Sequence, residues 1–185
     1  VAYMFSEALN ILPSAFQKVT GPSITRLYFD ASIEELENFI NYAMQATAFL
    51  LSVLAISIIC LFPELIQMIY PENPLFATAY PAVIIMTIGV FFRGTTGSIG
   101  SVFVSIGHPE VVMKTSPLRL MANVFVSILL AIPLGVNGVA FGTASSALVV
   151  FLLWTMLMPG YLSIKIHYQE LLMVPTTAAV AIGLF

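Results

Sequence analysis

Charged side chains are scarce. Asp, Glu, Lys and Arg make up 8% of the 185 residues, six basic and nine acidic, for a formal charge of -3. Soluble domains carry roughly 25%, so this composition excludes a soluble globular domain and a disordered tail. It also excludes a nucleic-acid binder, which needs a basic surface to neutralise phosphates. The single cysteine, Cys60, excludes a disulfide framework, and no Cys/His cluster offers a zinc site. No glycine-rich phosphate loop with a following Lys is present, so ATP-driven transport is not encoded and no cofactor is expected. What remains abundant is apolar sequence: 59% of the residues are hydrophobic and the mean hydropathy is +1.01. The class left standing is an all-α polytopic membrane protein, with the lipid bilayer as its first partner.

Charge-free windows place the spans. A helix needs about 20 apolar residues to cross the hydrocarbon core. Asn38–Pro63 and Asn73–Phe92 carry no charge, and Leu120–Ile164 is a run of 45 residues without one. The last is too long for one crossing, and Pro133, Gly135, Asn137 and Gly138 break it near its middle. Strands of a membrane barrel would alternate apolar and polar residues, and these runs do not. The reading is a bundle of about six transmembrane helices, near residues 1–18, 43–62, 76–106, 117–134, 138–158 and 171–185. The two terminal ones look truncated: the chain begins at Val1 without Met and ends at Phe185 within an apolar run, as a piece of a longer protein would.

Taking 76–106 as one crossing puts Lys18, Arg26, Lys114, Arg119 and Lys165 on one side of the membrane. The opposite loops, Pro63–Leu75 and Gly135–Asn137, then have no Lys or Arg. The positive-inside rule makes the basic side cytoplasmic in a multi-pass protein of the cell (plasma or inner) membrane. In the linker after the first span, Gly21-Pro22 is expected to stop the helix. Ser32 with Glu35 offers a capping box to start the next, which is expected to run along the inner surface before entering the bilayer.

Ionisable groups at membrane depth are costly and mark functional sites. Arg93 lies 17 residues into the 76–106 span, among Gly94, Thr95, Thr96, Gly97, Ser98 and Gly100. Either it lines a hydrated cavity, where its fork suits phosphate oxygens, or it snorkels to the interface or pairs with a carboxylate. Glu7, Asn10, Ser14 and Lys18 recur at steps of three and four, as one polar helix face. Glu7 could bind a coupling proton or cation such as sodium, or pair with Arg93. Asn123 in the fourth span suits an interhelical hydrogen bond better than a ligand contact. Gly138, Gly142 and Ser146 form a small-residue packing ridge. Trp154, Tyr161 and Tyr168 suit an interfacial belt, and His108 and His167 read as solvated loop residues.

Several stretches in order resemble one family. They are Leu12-Pro13 followed by Pro22-Ser23-Ile24-Thr25-Arg26-Leu27, the acidic start Asp30-Ala31-Ser32-Ile33-Glu34-Glu35-Leu36, and Phe62-Pro63-Glu64-Leu65-Ile66-Gln67-Met68-Ile69-Tyr70. Gly107-His108-Pro109-Glu110, Asn123 and Gly138-Val139-Ala140-Phe141-Gly142-Thr143-Ala144 complete the series. Together they resemble the C-terminal half of polysaccharide (oligosaccharide) flippases, of the multidrug/oligosaccharidyl-lipid/polysaccharide exporter superfamily. The resemblance implies half of a pseudo-symmetric transporter and a lipid-linked oligosaccharide as cargo. Arg93, Thr96, Asn123, Glu7, Asn10 and Ser14 are then the expected cavity residues. A cation or drug antiporter of the same superfamily would want an acidic cavity instead. A membrane-embedded enzyme acting on lipid-linked sugars would want a carboxylate or His cluster at an interface, where only Glu64 and Glu72 are found.

Overall fold

A computed structural model describes residues 2–30, 32–69, 79–162, 164, 166, 167 and 173, with the backbone alone for residues 2–9 and 12. The described residues form five α-helices and no strand: α1 (Ala2–Asp30), α2 (Ile33–Ile69), α3 (Tyr80–Ser105), α4 (Pro109–Leu134) and α5 (Val136–Tyr161). Four of them, α2 to α5, are long and apolar enough to cross a membrane. The first expected span falls within α1, which is not among those four. The expected span at 171–185 lies outside the described residues, Met173 apart, as do Tyr168, Lys165 and Glu72.

Local chemistry explains where helices begin and end. Ser32 Oγ accepts the Glu35 N–H at 3.3 Å, the N-cap half of the anticipated capping box. From there α2 runs uninterrupted, so its acidic first turn and its apolar stretch belong to one helix. At the end of α3, Gly107 adopts a left-handed φ of 88°. The His108 N–H bonds Phe103 O at 2.8 Å and the Gly107 N–H bonds Val104 O at 3.2 Å, the paired bonds of a Schellman cap. Pro109 then opens α4, where its missing N–H costs nothing.

Several expected breaks are not breaks. Gly21-Pro22 does not end α1, which continues to Asp30. A proline has a helical φ, and its damage is a lost N–H donor and a crowded preceding turn. Pro22 leaves the Lys18 carbonyl without its helical N–H, a loss the helix absorbs; beside it, Gly21 O accepts Thr25 Oγ1 and Ser105 Oγ at 3.2 Å each, the second bond tying α1 to α3. Likewise α2 passes through Pro63 to Ile69, so Pro63–Ile69 is helix and not loop. The fourth span starts at Pro109, eight residues before Pro117. Of the four residues expected to break the 120–164 run, Gly135 alone leaves the helix, at φ 55° and ψ -129°. Asn137 and Gly138 belong to α5.

The packing order is set by α3. It lies against α1, α2 and α5, while α4 packs on α5. The main core cluster joins Leu36, Ile40 and Met44 of α2 to Ile99, Phe103 and Trp154. Small residues let the backbones approach. A Cβ at Gly100 would meet the Trp154 ring, one at Gly89 would meet Ala144 Cα at 2.8 Å, and one at Gly94 would meet Leu51 and Pro13. The Gly138 and Gly142 ridge meets α4, at the Leu130 carbonyl and at Ser127. On the far side of α4, Val124, Phe125, Ile128 and Ile132 are exposed, a surface suited to acyl chains.

Candidate functional site

Four helices surround one cavity of about 260 Å³, far more than the roughly 15 Å³ one water needs. Each helix contributes a stripe at helical spacing. From α1 come Asn10, Pro13, Ser14 and Gln17; from α4 come Val112, Thr115, Ser116 and Arg119. Both sets follow the i, i+3, i+4, i+7 pattern. The α3 wall is Arg93, Gly94, Thr96 and Gly97, and the α5 wall is Ala147, Val150 and Trp154. The α1 stripe faces the α4 stripe across a space, since those two helices do not pack extensively on each other.

Arg93 is therefore on a cavity wall, with Thr96, Asn10 and Ser14 around the same space. It stands 13 residues into the described α3 helix. Asn123 is not among the lining residues; its Oδ1 accepts the Ser127 hydroxyl at 3.1 Å, a bond within α4 and not between helices. The side chain of Glu7 lies outside the described residues. Lys18, on the expected polar stripe, is exposed and does not line the cavity. Its neighbour Gln17 does, with Nε2 donating to Gly94 O at 3.4 Å over the gap left by Gly97.

Arg119 is the residue that sequence reading missed. Its position in the chain groups it with the cytoplasmic basic residues, yet it lies ten residues into α4 on the cavity wall. Arg93 stands 12 residues before Ser105 and Arg119 ten after Pro109. At 1.5 Å per residue these are about 18 and 15 Å of helix from the shared turn, so the two guanidiniums stand at similar heights. Both line the same cavity. No carboxylate is found among the described lining residues.

Trp154 is packed inside the bundle. It is 7% exposed and forms part of the cavity wall. Its Nε1–H donates to Thr115 Oγ1 at 2.8 Å, joining α5 to α4, and Phe103 packs edge-on against its ring. Tyr161 sits at the end of α5, 41% exposed, with its ring against His108. His108 is not simply solvated either, because its Nδ1 bonds Glu110 Oε1 at 2.8 Å. The His167 N–H donates to Asn41 Oδ1 at 2.9 Å, tying the chain after α5 to α2. No group of three or more potential metal ligands occurs among the described residues.

No family model matches the chain, and no curated protein or solved structure does.

Proposed function

We propose that the chain forms half of a pseudo-symmetric exporter that moves a lipid-linked oligosaccharide across the cell membrane by alternating access. The observation that carries this reading is the pairing of Arg93 and Arg119 on the walls of one polar cavity, inside helices apolar enough to cross a membrane. Ionisable groups within membrane-spanning helices are costly and mark substrate pathways, and the planar forks of guanidiniums match phosphate oxygens. Asn10, Ser14, Gln17 and Thr96 add polar contacts for a hydrated headgroup. A cavity for cations would carry carboxylates where this one carries arginines. The loop-facing basic residues face the cytoplasm, and an ion gradient, if one drives transport, acts through a carboxylate such as Glu7.

The test is translocation of a fluorescent lipid-linked oligosaccharide by the full-length protein in liposomes. Arg93→Ala and Arg119→Ala each abolish translocation while the protein still inserts. Full activity in both variants would overturn the reading.

A further inference from the structure

The chain that leaves α5 crosses the end of the bundle at which α1 and α3 finish and α2 and α4 begin. Leu162 has left the helix, with φ -134° and ψ 129°. In extended chain, side chains two apart share a face. Leu162 and Ile164 are both buried, at 4% and 3% exposure, and Ile166 packs beside them. They join Ile24 of α1, Leu36 of α2, Ile106 of α3 and Val111 of α4 in one apolar layer. The residue that follows is fastened: the His167 N–H donates to Asn41 Oδ1 at 2.9 Å. Asn41 is buried, and its Nδ2 donates to Glu37 O at 3.0 Å, which fixes the amide with its oxygen toward the strap. Because α2 and α5 do not pack extensively on each other, this strap joins two helices that the bundle otherwise keeps apart.

The apolar layer lies between the cavity and that end of the bundle. On α3 the cavity residues stop at Gly97 and the layer begins at Ile99. On α5 they stop at Trp154, itself in the layer, and Met158 and Leu162 follow. The helices around the cavity are joined by close glycine contacts. The strap is held by a few side chains and one neutral hydrogen bond, each a modest contribution. We infer that the strap through Leu162, Ile164 and His167 is a latch: it closes the basic end of the bundle, and its departure from Asn41 opens the layer beneath it to water. That the latch serves alternating access from the cytoplasm rests on the transport reading given above.

Thiol labelling of the full-length protein in detergent tests it. The reporter is Val111→Cys, a buried position in the layer, in a background with Cys60→Ser and no other cysteine, and the probe is a water-soluble methanethiosulfonate. Ile164→Ala raises the labelling rate at least about tenfold, since truncating a buried isoleucine weakens the closed form. Ile66→Ala makes the same truncation at the other end of α2, where Ile66 is also buried, and leaves the rate unchanged. An equal rise in both variants, or no rise with Ile164→Ala, overturns the inference. Should Ile164→Ala fail to fold, Ile164→Val reads the same change at about threefold. In liposomes, bridging Asn41→Cys to His167→Cys with a short bifunctional methanethiosulfonate halts translocation of the lipid-linked oligosaccharide, and reduction restores it. Translocation that continues in the bridged protein overturns the inference. If the unmodified protein translocates nothing, the transport reading fails and the labelling result alone decides the latch.

Discussion

Tyr80 Oη donates to Ile59 O at 3.2 Å. Ile59 is four residues before Pro63, so its carbonyl is the one that Pro63 leaves without a helical N–H. The first turn of α3 thus repairs α2, and stacking of Phe62 on Tyr80, at a centroid distance of 6.0 Å, holds the phenol in place. Tyr80→Phe should cost about 1 kcal/mol, the scale of polar bonds within membranes. In a Pro63→Ala background the same change should cost almost nothing, since an alanine there restores the missing N–H. Thermal unfolding of the four proteins in detergent checks the cycle; equal losses in both backgrounds refute the repair.

The glycines differ sharply in what they tolerate. A Cβ at Gly138 would fall on the Leu130 backbone carbonyl, which cannot rotate away. Gly138→Ala should therefore lose about 1–3 kcal/mol, as overpacked sites do. Gly160 has nothing within 4 Å of its would-be Cβ, and Gly160→Ala should be neutral or slightly stabilising in the same melting assay.

Charge alone should not serve at the cavity arginines. Arg93→Lys and Arg119→Lys keep the positive charge but lose the planar fork. Each should lower translocation in liposomes by roughly tenfold, the equivalent of about 1.4 kcal/mol. Wild-type rates in both would reduce the role of the arginines to a diffuse field.

The bond between Trp154 and Thr115 should show itself as coupling. Trp154→Phe and Thr115→Val each remove it, so the double variant should be less destabilised than the sum of the singles by about 1 kcal/mol. Strict additivity in chemical denaturation would mean that the contact contributes nothing.

The sequence is readable where one residue type dictates local geometry. Ser32 three residues before Glu35, and Gly107 before a proline, announce their turns. Charge-free windows find the apolar stretches because hydropathy is a summed property. Prolines mislead because their effect depends on partners far along the chain, as Tyr80 serves the carbonyl that Pro63 leaves open. Arg119 is hidden by its closeness to Lys114, which makes it look like one of a pair of loop charges. Its spacing from Val112, Thr115 and Ser116 is the available signal. On α1 the polar pattern runs through Lys18 whereas Gln17 faces the cavity, a difference of one residue that turns a helix face by about 100°. Trp154 near a helix end looks interfacial because its partner Thr115 is 39 residues away.

Glycine seams hold α5 on α3 at Gly89 and Gly100, and α4 on α5 at Gly138 and Gly142. Arg93 and Arg119 thus ride on one framework, and their separation is fixed before any guest arrives, which spares the reorganisation that a loose pair would need. The same framework carries α1, since Gly94 and Gly97 of α3 leave room for Pro13 and Gln17 and Ser105 Oγ bonds Gly21 O, so the wall facing the two cations is anchored as well. Spin labels at Gln17 and Ser116 would then hold one narrow distance distribution, as would labels at Ser101 and Thr155.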